Sequence, residues 1–222
     1  MGMRSEHVPT PGGDARLLIH EAKDPYATLV LGHGASGGSG ARDLMALATT
    51  LPAHGVTIIR FEQPFVVAGR KIGPRPDALD EAWLAALPNV PVAGRLFVGG
   101  RSAGARVACR TAQAVNAAGV VALAFPLHPP GRPEKSRLAE LVGAGAPVLV
   151  VQGEMDAFGR PGEFPDGEFE LVAIPHANHS MAVPKAYDQR QTLATVVDTV
   201  HEFVASVAGR GMDRAHSGVP QS

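Results

Sequence analysis

Ser102 stands between two glycines in Gly100-Arg101-Ser102-Ala103-Gly104. A serine hydroxyl is a weak nucleophile at its free pKa; it attacks a carbonyl only when a base takes its proton and a third group orients that base. The G-x-S-x-G spacing suits this use, because flanking glycines permit a tight, strained turn that lifts the hydroxyl above the backbone. Leu96-Phe97-Val98 precedes the turn, and Ala103, Val107, Ala108, Ala112 and Val115 follow it at helical spacing. The pentapeptide therefore reads as the corner between a buried strand and a helix.

The base is sought downstream, in Pro175-His176-Ala177-Asn178-His179-Ser180-Met181. His179 is the expected base, since it lies just before the last helix, whereas His176 follows a strand closely and stays near the sheet. The orienting acid is expected to be Asp156, in Gly153-Glu154-Met155-Asp156-Ala157-Phe158-Gly159, with Glu154 as its competitor. A tetrahedral intermediate also needs donors for its oxyanion. The backbone N–H of Ala103 is one, and that of Ala35, in His33-Gly34-Ala35, is assigned as the other. His33, Arg101, His128 and Phe158 are carried as candidate substrate contacts, with His33 read first as a structural brace for its own loop. Arg60, Glu62, Arg70, Lys71, Arg101 and Arg132 lie around the expected mouth, either to select an acidic substrate or as solvated and structural charges.

Apolar runs alternate with helical patterns along the chain and supply the frame. Strands are expected at residues 15–20, 27–31, 56–61, 96–98, 120–125, 147–152 and 169–174, and helices at 41–51, 80–87, 136–142 and 187–207, besides the one after Ser102. Residues 62–77 read as a loop. This alternation, with strands apolar throughout, predicts a mostly parallel sheet covered by helices on both faces, with ligands beyond the strands' carboxyl ends. Residues 1–14 are expected to form a flexible arm, 15–207 one domain, and 208–222 a disordered tail.

The chain has 222 residues, of which 45% are hydrophobic and 18% charged, enough to bury a sizeable core. A net charge of −1 gives no electrostatic reason to expect nucleic acid or an anionic membrane as partner. The single cysteine, Cys109, excludes an intramolecular disulfide and fits a reducing compartment, where it packs as a small hydrophobe. Without an apolar leader or spanning stretch, a cytoplasmic location is expected.

Gly32-His33-Gly34-Ala35, Gly100-Arg101-Ser102-Ala103-Gly104, Asp156-Ala157-Phe158-Gly159 and Asn178-His179-Ser180 together resemble an α/β-hydrolase over residues 15–207. In that fold the order is serine, acid, histidine, as found here. Through Phe125-Pro126-Leu127-His128-Pro129-Pro130-Gly131 and Asp156-Ala157-Phe158-Gly159, the chain is similar to the dienelactone-hydrolase-like branch that includes testis-expressed protein 30 and the third subunit of the NSL chromatin complex. Dienelactone hydrolases use a cysteine nucleophile, so Ser102 argues against carrying over their substrate. The segment from Pro126 to Ala146 is long enough for a small lid at most, which implies an open site. The resemblance implies a serine hydrolase acting on a small-molecule ester or related acyl bond, without metal or organic cofactor. Alternatives are acyl transfer or peptide hydrolysis with the same residues, or a hydrolase fold kept as a binding scaffold.

Overall fold

The computed structural model describes residues 2–35 and 38–210. Eight strands form one sheet: β1 (Met3–Thr10), β2 (Gly13–His20), β3 (Ala27–Gly32), β4 (Val56–Glu62), β5 (Arg95–Arg101), β6 (Gly119–Leu123), β7 (Val148–Gly153) and β8 (Phe169–Ile174). Their order across the sheet is β1-β2-β4-β3-β5-β6-β7-β8. β2 runs antiparallel to both its neighbours, and every other pair is parallel. Among the described residues six α-helices accompany the sheet: α1 (Arg42–Thr50), α2 (Pro64–Val67), α3 (Pro76–Ala86), α4 (Ala103–Thr111), α5 (Leu138–Val142) and α6 (Gln189–Val207).

Every residue of β3, β4, β6 and β7 is buried, because helices cover both faces. On one face Leu29, Leu31, Ile58 and Phe97 meet Leu44 and Leu47 of α1 and Val200 and Phe203 of α6. On the other, Phe61 and Val98 pack with Trp83 of α3 and Val107 of α4. Removing each such large side chain from water contributes about 1.5–3 kcal/mol, which is why continuous apolar runs mark these strands so clearly. Cys109 lies within the second cluster, and burial pushes its thiol up to about 12, so it packs rather than reacts. Half-buried ion pairs tie α4 to its neighbours: Arg110 bonds Asp80 of α3 at 2.7 Å, and Arg106 and Arg110 both bond Glu140 of α5.

Sequence expectations for four elements need correction. Residues 3–10 are not a loose arm but the edge strand β1, paired residue for residue with β2. Val8 alone of that strand is buried, so the strand is held by its backbone ladder and leaves little apolar pattern to read. The loop expected at 62–77 holds α2, and α3 starts at Pro76 rather than Asp80, using a proline in its first turn where no N–H is missed. The final helix starts at Gln189, two residues later than expected, because Asp188 caps it by accepting from the N–H groups of Arg190 and Gln191. Of the tail expected at 208–222, residues 211–222 lie outside the described residues; Arg210 places its guanidinium 4.7 Å from the Tyr26 ring centre. Among the described residues, no helix is long and apolar enough to cross a membrane.

Candidate active site

The connection β3–α1–β4 builds the sheet in one direction and β5–α4–β6 builds it in the other. The chain thus parts at the carboxyl ends of β3 and β5, the place where open α/β sheets leave a crevice. β3 ends at Gly32 and leads into His33-Gly34-Ala35; β5 ends at Arg101 and leads into Ser102.

Ser102 has φ 53° and ψ −113°, a conformation that side chains rarely adopt. Its N–H is fixed to the Leu123 carbonyl at 3.0 Å, and α4 begins at the next residue, so the backbone on both sides dictates the turn. The flanking glycines answer a packing need. A Cβ on Gly100 would lie 2.4 Å from the Gly32 carbonyl oxygen, and one on Gly104 would lie 2.3 Å from that same atom. Glycine lets the end of β3 press against the start of α4.

His179 Nε2 stands 3.0 Å from Ser102 Oγ, and His179 Nδ1 stands 2.8 Å from Asp156 Oδ2. The carboxylate can only accept, so it holds the proton on Nδ1 and turns the Nε2 lone pair toward the serine hydroxyl. Asp156 is fully buried at the end of β7, where an unsatisfied carboxylate would be very costly. It accepts two further bonds, from Gln152 Nε2 at 3.0 Å and from the Phe158 N–H at 2.8 Å. His179 sits in a turn built by Asn178, whose side-chain oxygen accepts from the N–H groups of Ser180 and Ala182. Phe158 covers the imidazole, with ring centres 4.2 Å apart. It is thus placed against His179 itself.

The competitors lie elsewhere. His176 stacks on Tyr187 at 3.8 Å, and its N–H donates to Glu154, which is exposed. Neither reaches Ser102.

Arg101, expected as a substrate contact, instead braces the site. Its Nε donates to the buried carboxylate of Asp43 at 3.1 Å, and its Nη2 donates to the His179 carbonyl. His128 is also occupied: Nδ1 lies 2.9 Å from the Pro129 carbonyl and Nε2 lies 2.8 Å from Glu163. Both partners are acceptors, the Pro129 carbonyl foremost, and they raise the His128 pKa above its ordinary value. That ring joins the 126–131 segment to the 160–164 segment and offers no free nitrogen. Arg60 and Glu62 are buried as well: Arg60 donates to the Ser39 carbonyl, and Glu62 accepts from Ser39 Oγ at 2.6 Å and from Arg16. They hold the loop after β3 rather than facing a substrate.

His33 links that loop to the one after β4. Its Nδ1 lies 2.7 Å from the Gly34 carbonyl, and its Nε2 accepts from the Gln63 N–H at 3.1 Å, a pattern only the neutral ring satisfies. Burial lowers its pKa, against the opposing pull of the Gly34 carbonyl and Glu62. Because the folded pKa lies below the unfolded value near 6.5, the unfolded chain binds this proton first. Stability from His33 is therefore present above about pH 6.5 and lost as pH falls below it. The melting temperature of the wild type is expected to fall more steeply between about pH 7.5 and about pH 5.5 than that of His33→Gln, which keeps an acceptor for Gln63. Equal slopes would contradict this role.

Ala35 and Ala103 line one small cavity, together with His33, Phe65, Trp83 and Val107. Ala103 is the first residue of α4, where N–H groups have no intrahelical acceptor and the helix dipole favours negative charge. An oxyanion formed at Ser102 would meet this end of the helix. The sequence reading missed Gln152, Asp43 and Gln63. Gln152 closes an apolar strand, and that mismatch is its one signal; Asp43 follows Arg42 and Gln63 follows Glu62, so neither stands out from its neighbours.

The comparisons with known proteins agree with this architecture. An α/β serine hydrolase homologue from Coxiella burnetii superposes with a TM-score of 0.73 at 19% identity, covering 90% of this chain and 98% of that one. XC6422 from Xanthomonas campestris, described as an α/β serine hydrolase without lid, gives 0.67 at 17% identity, covering 91% and 95%. Dienelactone hydrolase from Anabaena variabilis gives 0.70 at 18% identity, covering 92% and 97%. The sheet order, the turn at Ser102 and a match of residues 25–205 to the alpha/beta hydrolase domain model together place the chain in that family.

Proposed function

We propose that the protein is a serine hydrolase that cleaves a small ester through an acyl-enzyme on Ser102. The observation that carries this reading is the continuous hydrogen-bonded chain from Ser102 Oγ through His179 to buried Asp156. His179 Nε2 takes the hydroxyl proton as Oγ bonds to the ester carbonyl carbon. Negative charge on the carbonyl oxygen is received by the N–H groups of Ala35 and Ala103. The intermediate collapses by breaking the bond to the alcohol oxygen, which leaves with the proton from His179. Water then gives its proton to His179 and bonds to the acyl carbon; the acid departs, and Ser102 regains its proton.

Similarity to the branch containing testis-expressed protein 30 and the NSL subunit belongs to this same reading, carried by Phe125–Gly131 and Asp156–Gly159. The short segment between β6 and β7 favours small or exposed esters, since it contributes only the five-residue α5 as a regular helix. A fluorophosphonate probe, which phosphonylates an activated serine, is expected to label the wild type and leave Ser102→Ala unlabelled. Equal labelling of both proteins would overturn the assignment.

A further inference from the structure

Arg101 fills the variable place before the serine in Gly100-Arg101-Ser102-Ala103-Gly104, where the turn itself asks only for the flanking glycines. Its side chain leaves the end of β5 and meets three other parts of the fold. Nε donates to Asp43 of α1, and Nη2 donates to the His179 carbonyl oxygen. A Cβ on Gly34 would lie 3.2 Å from Nη1, so the guanidinium also lies against the loop that carries Ala35. The Asp43 side chain is fully buried and that of Arg101 is 13% exposed. Withdrawing both charges from water costs much of what their attraction returns, so stability alone is a weak reason for such a pair.

The turn around His179 closes largely on itself. Asn178 receives the N–H groups of Ser180, Met181 and Ala182, and its own N–H donates to the Ala182 carbonyl. Among the described residues, three donors from outside reach the carbonyls of residues 177–182: the Met155 N–H at Ala177, Gln189 Nε2 at Met181, and Arg101 Nη2 at His179. Met155 stands beside Asp156 and Gln189 begins α6; Arg101 alone comes from the turn that carries Ser102. Asp156 fixes the imidazole at Nδ1, but the ring hangs from a backbone that Arg101 holds, and the reach of Nε2 to Ser102 Oγ depends on both. We propose that Arg101 is a positioning residue for proton transfer from Ser102: with Asp43 as its fixed counter-charge, it ties the His179 backbone to the serine turn. This role rests on the proposed acyl-enzyme at Ser102 and adds the group that keeps its base in register. A misplacement of about 1 Å can lower a rate by about 10²-fold, so a side chain that sets this distance acts on kcat without touching substrate.

The test separates this role from that of a structural ion pair. Arg101→Met leaves Asp43 buried and unpaired, so its melting temperature is expected to fall; the double variant Arg101→Met/Asp43→Asn removes the stranded charge and is expected to regain most of that loss. In both, kcat for p-nitrophenyl acetate, counted per folded molecule, is expected to fall about 30-fold with KM within about threefold of wild type. The rate of fluorophosphonate labelling, which needs the same serine and base, is expected to fall in parallel. Arg110→Met breaks the half-buried pairs with Asp80 and Glu140 elsewhere on α4; it is expected to melt lower and to keep kcat within about twofold. A double variant with kcat within about fivefold of wild type makes the pair structural and overturns the proposal. So does a raised KM with kcat preserved, which makes Arg101 a substrate contact. If Arg101→Met does not fold, the double variant decides alone. Should the proposal fail while the probe labels wild type and spares Ser102→Ala, the acyl-enzyme reading stands; absence of labelling removes both.

Discussion

His179→Ala is expected to lower kcat/KM on an activated ester by about 10⁴–10⁶-fold, the scale on which removal of the base disables a serine nucleophile. At about 1.4 kcal/mol per decade this is roughly 5–8 kcal/mol of transition-state stabilisation. The loss arises because Nε2, 3.0 Å from Ser102 Oγ, is the acceptor placed to take the hydroxyl proton. His176→Ala, three residues away, is expected to stay within about threefold of wild type, since that ring lies on Tyr187 and outside the chain of bonds. Steady-state kinetics on both variants, with circular dichroism to verify folding, separates the two histidines. A His176 variant as damaged as the His179 variant would transfer the base role and break the proposed mechanism.

The largest expected effect on stability comes from one carbon atom. In Gly104→Ala the new Cβ would sit 2.3 Å from the Gly32 oxygen, 2.4 Å from its carbonyl carbon and 2.9 Å from its Cα. These are backbone atoms of β3, the strand at the centre of the sheet, and they cannot rotate aside as a side chain could. Helix and strand must separate, opening the packing between Trp83, Val107 and the sheet. A loss of about 3 kcal/mol or more is expected, seen as a melting temperature lower by roughly 6–12 °C in a protein of this size. Gly40→Ala provides the comparison, because a Cβ there meets nothing within 4 Å. A Gly104→Ala protein that melts with the wild type would show that the close approach has no energetic weight.

The central strands were legible because burial on both faces demands unbroken apolar runs; Ser102, Asp156 and His179, which the fold brings into one chain of hydrogen bonds, stand out in the sequence by residue type and order. β1 was not. A strand with one buried side chain carries almost no hydrophobic signature, and Pro9 lies within it, a residue tolerated at a sheet edge where an N–H can be spared. Side-chain direction was equally hidden. Arg101 and His128 have the chemistry to bind an anion or an ester, yet each is spent on partners distant in sequence, Asp43 and Glu163. Asp43 sits on the apolar face of α1, and only the folded chain shows that a guanidinium reaches it. Sequence names the groups available, and the fold decides which remain free to meet a substrate.

The separation of 77 residues between Ser102 and His179 also has a meaning in time. A ribosome works from the amino end, and at about 5–20 residues per second Ser102 exists for roughly 4–15 s before His179 has been made. The imidazole then arrives beyond β8, the edge strand that pairs with β7 alone. Throughout that interval Ser102 lacks the imidazole that stands beside it in the folded chain. On the proposed mechanism reactivity is conferred late, by the loop that follows the edge strand β8, so that the growing chain carries Ser102 unarmed.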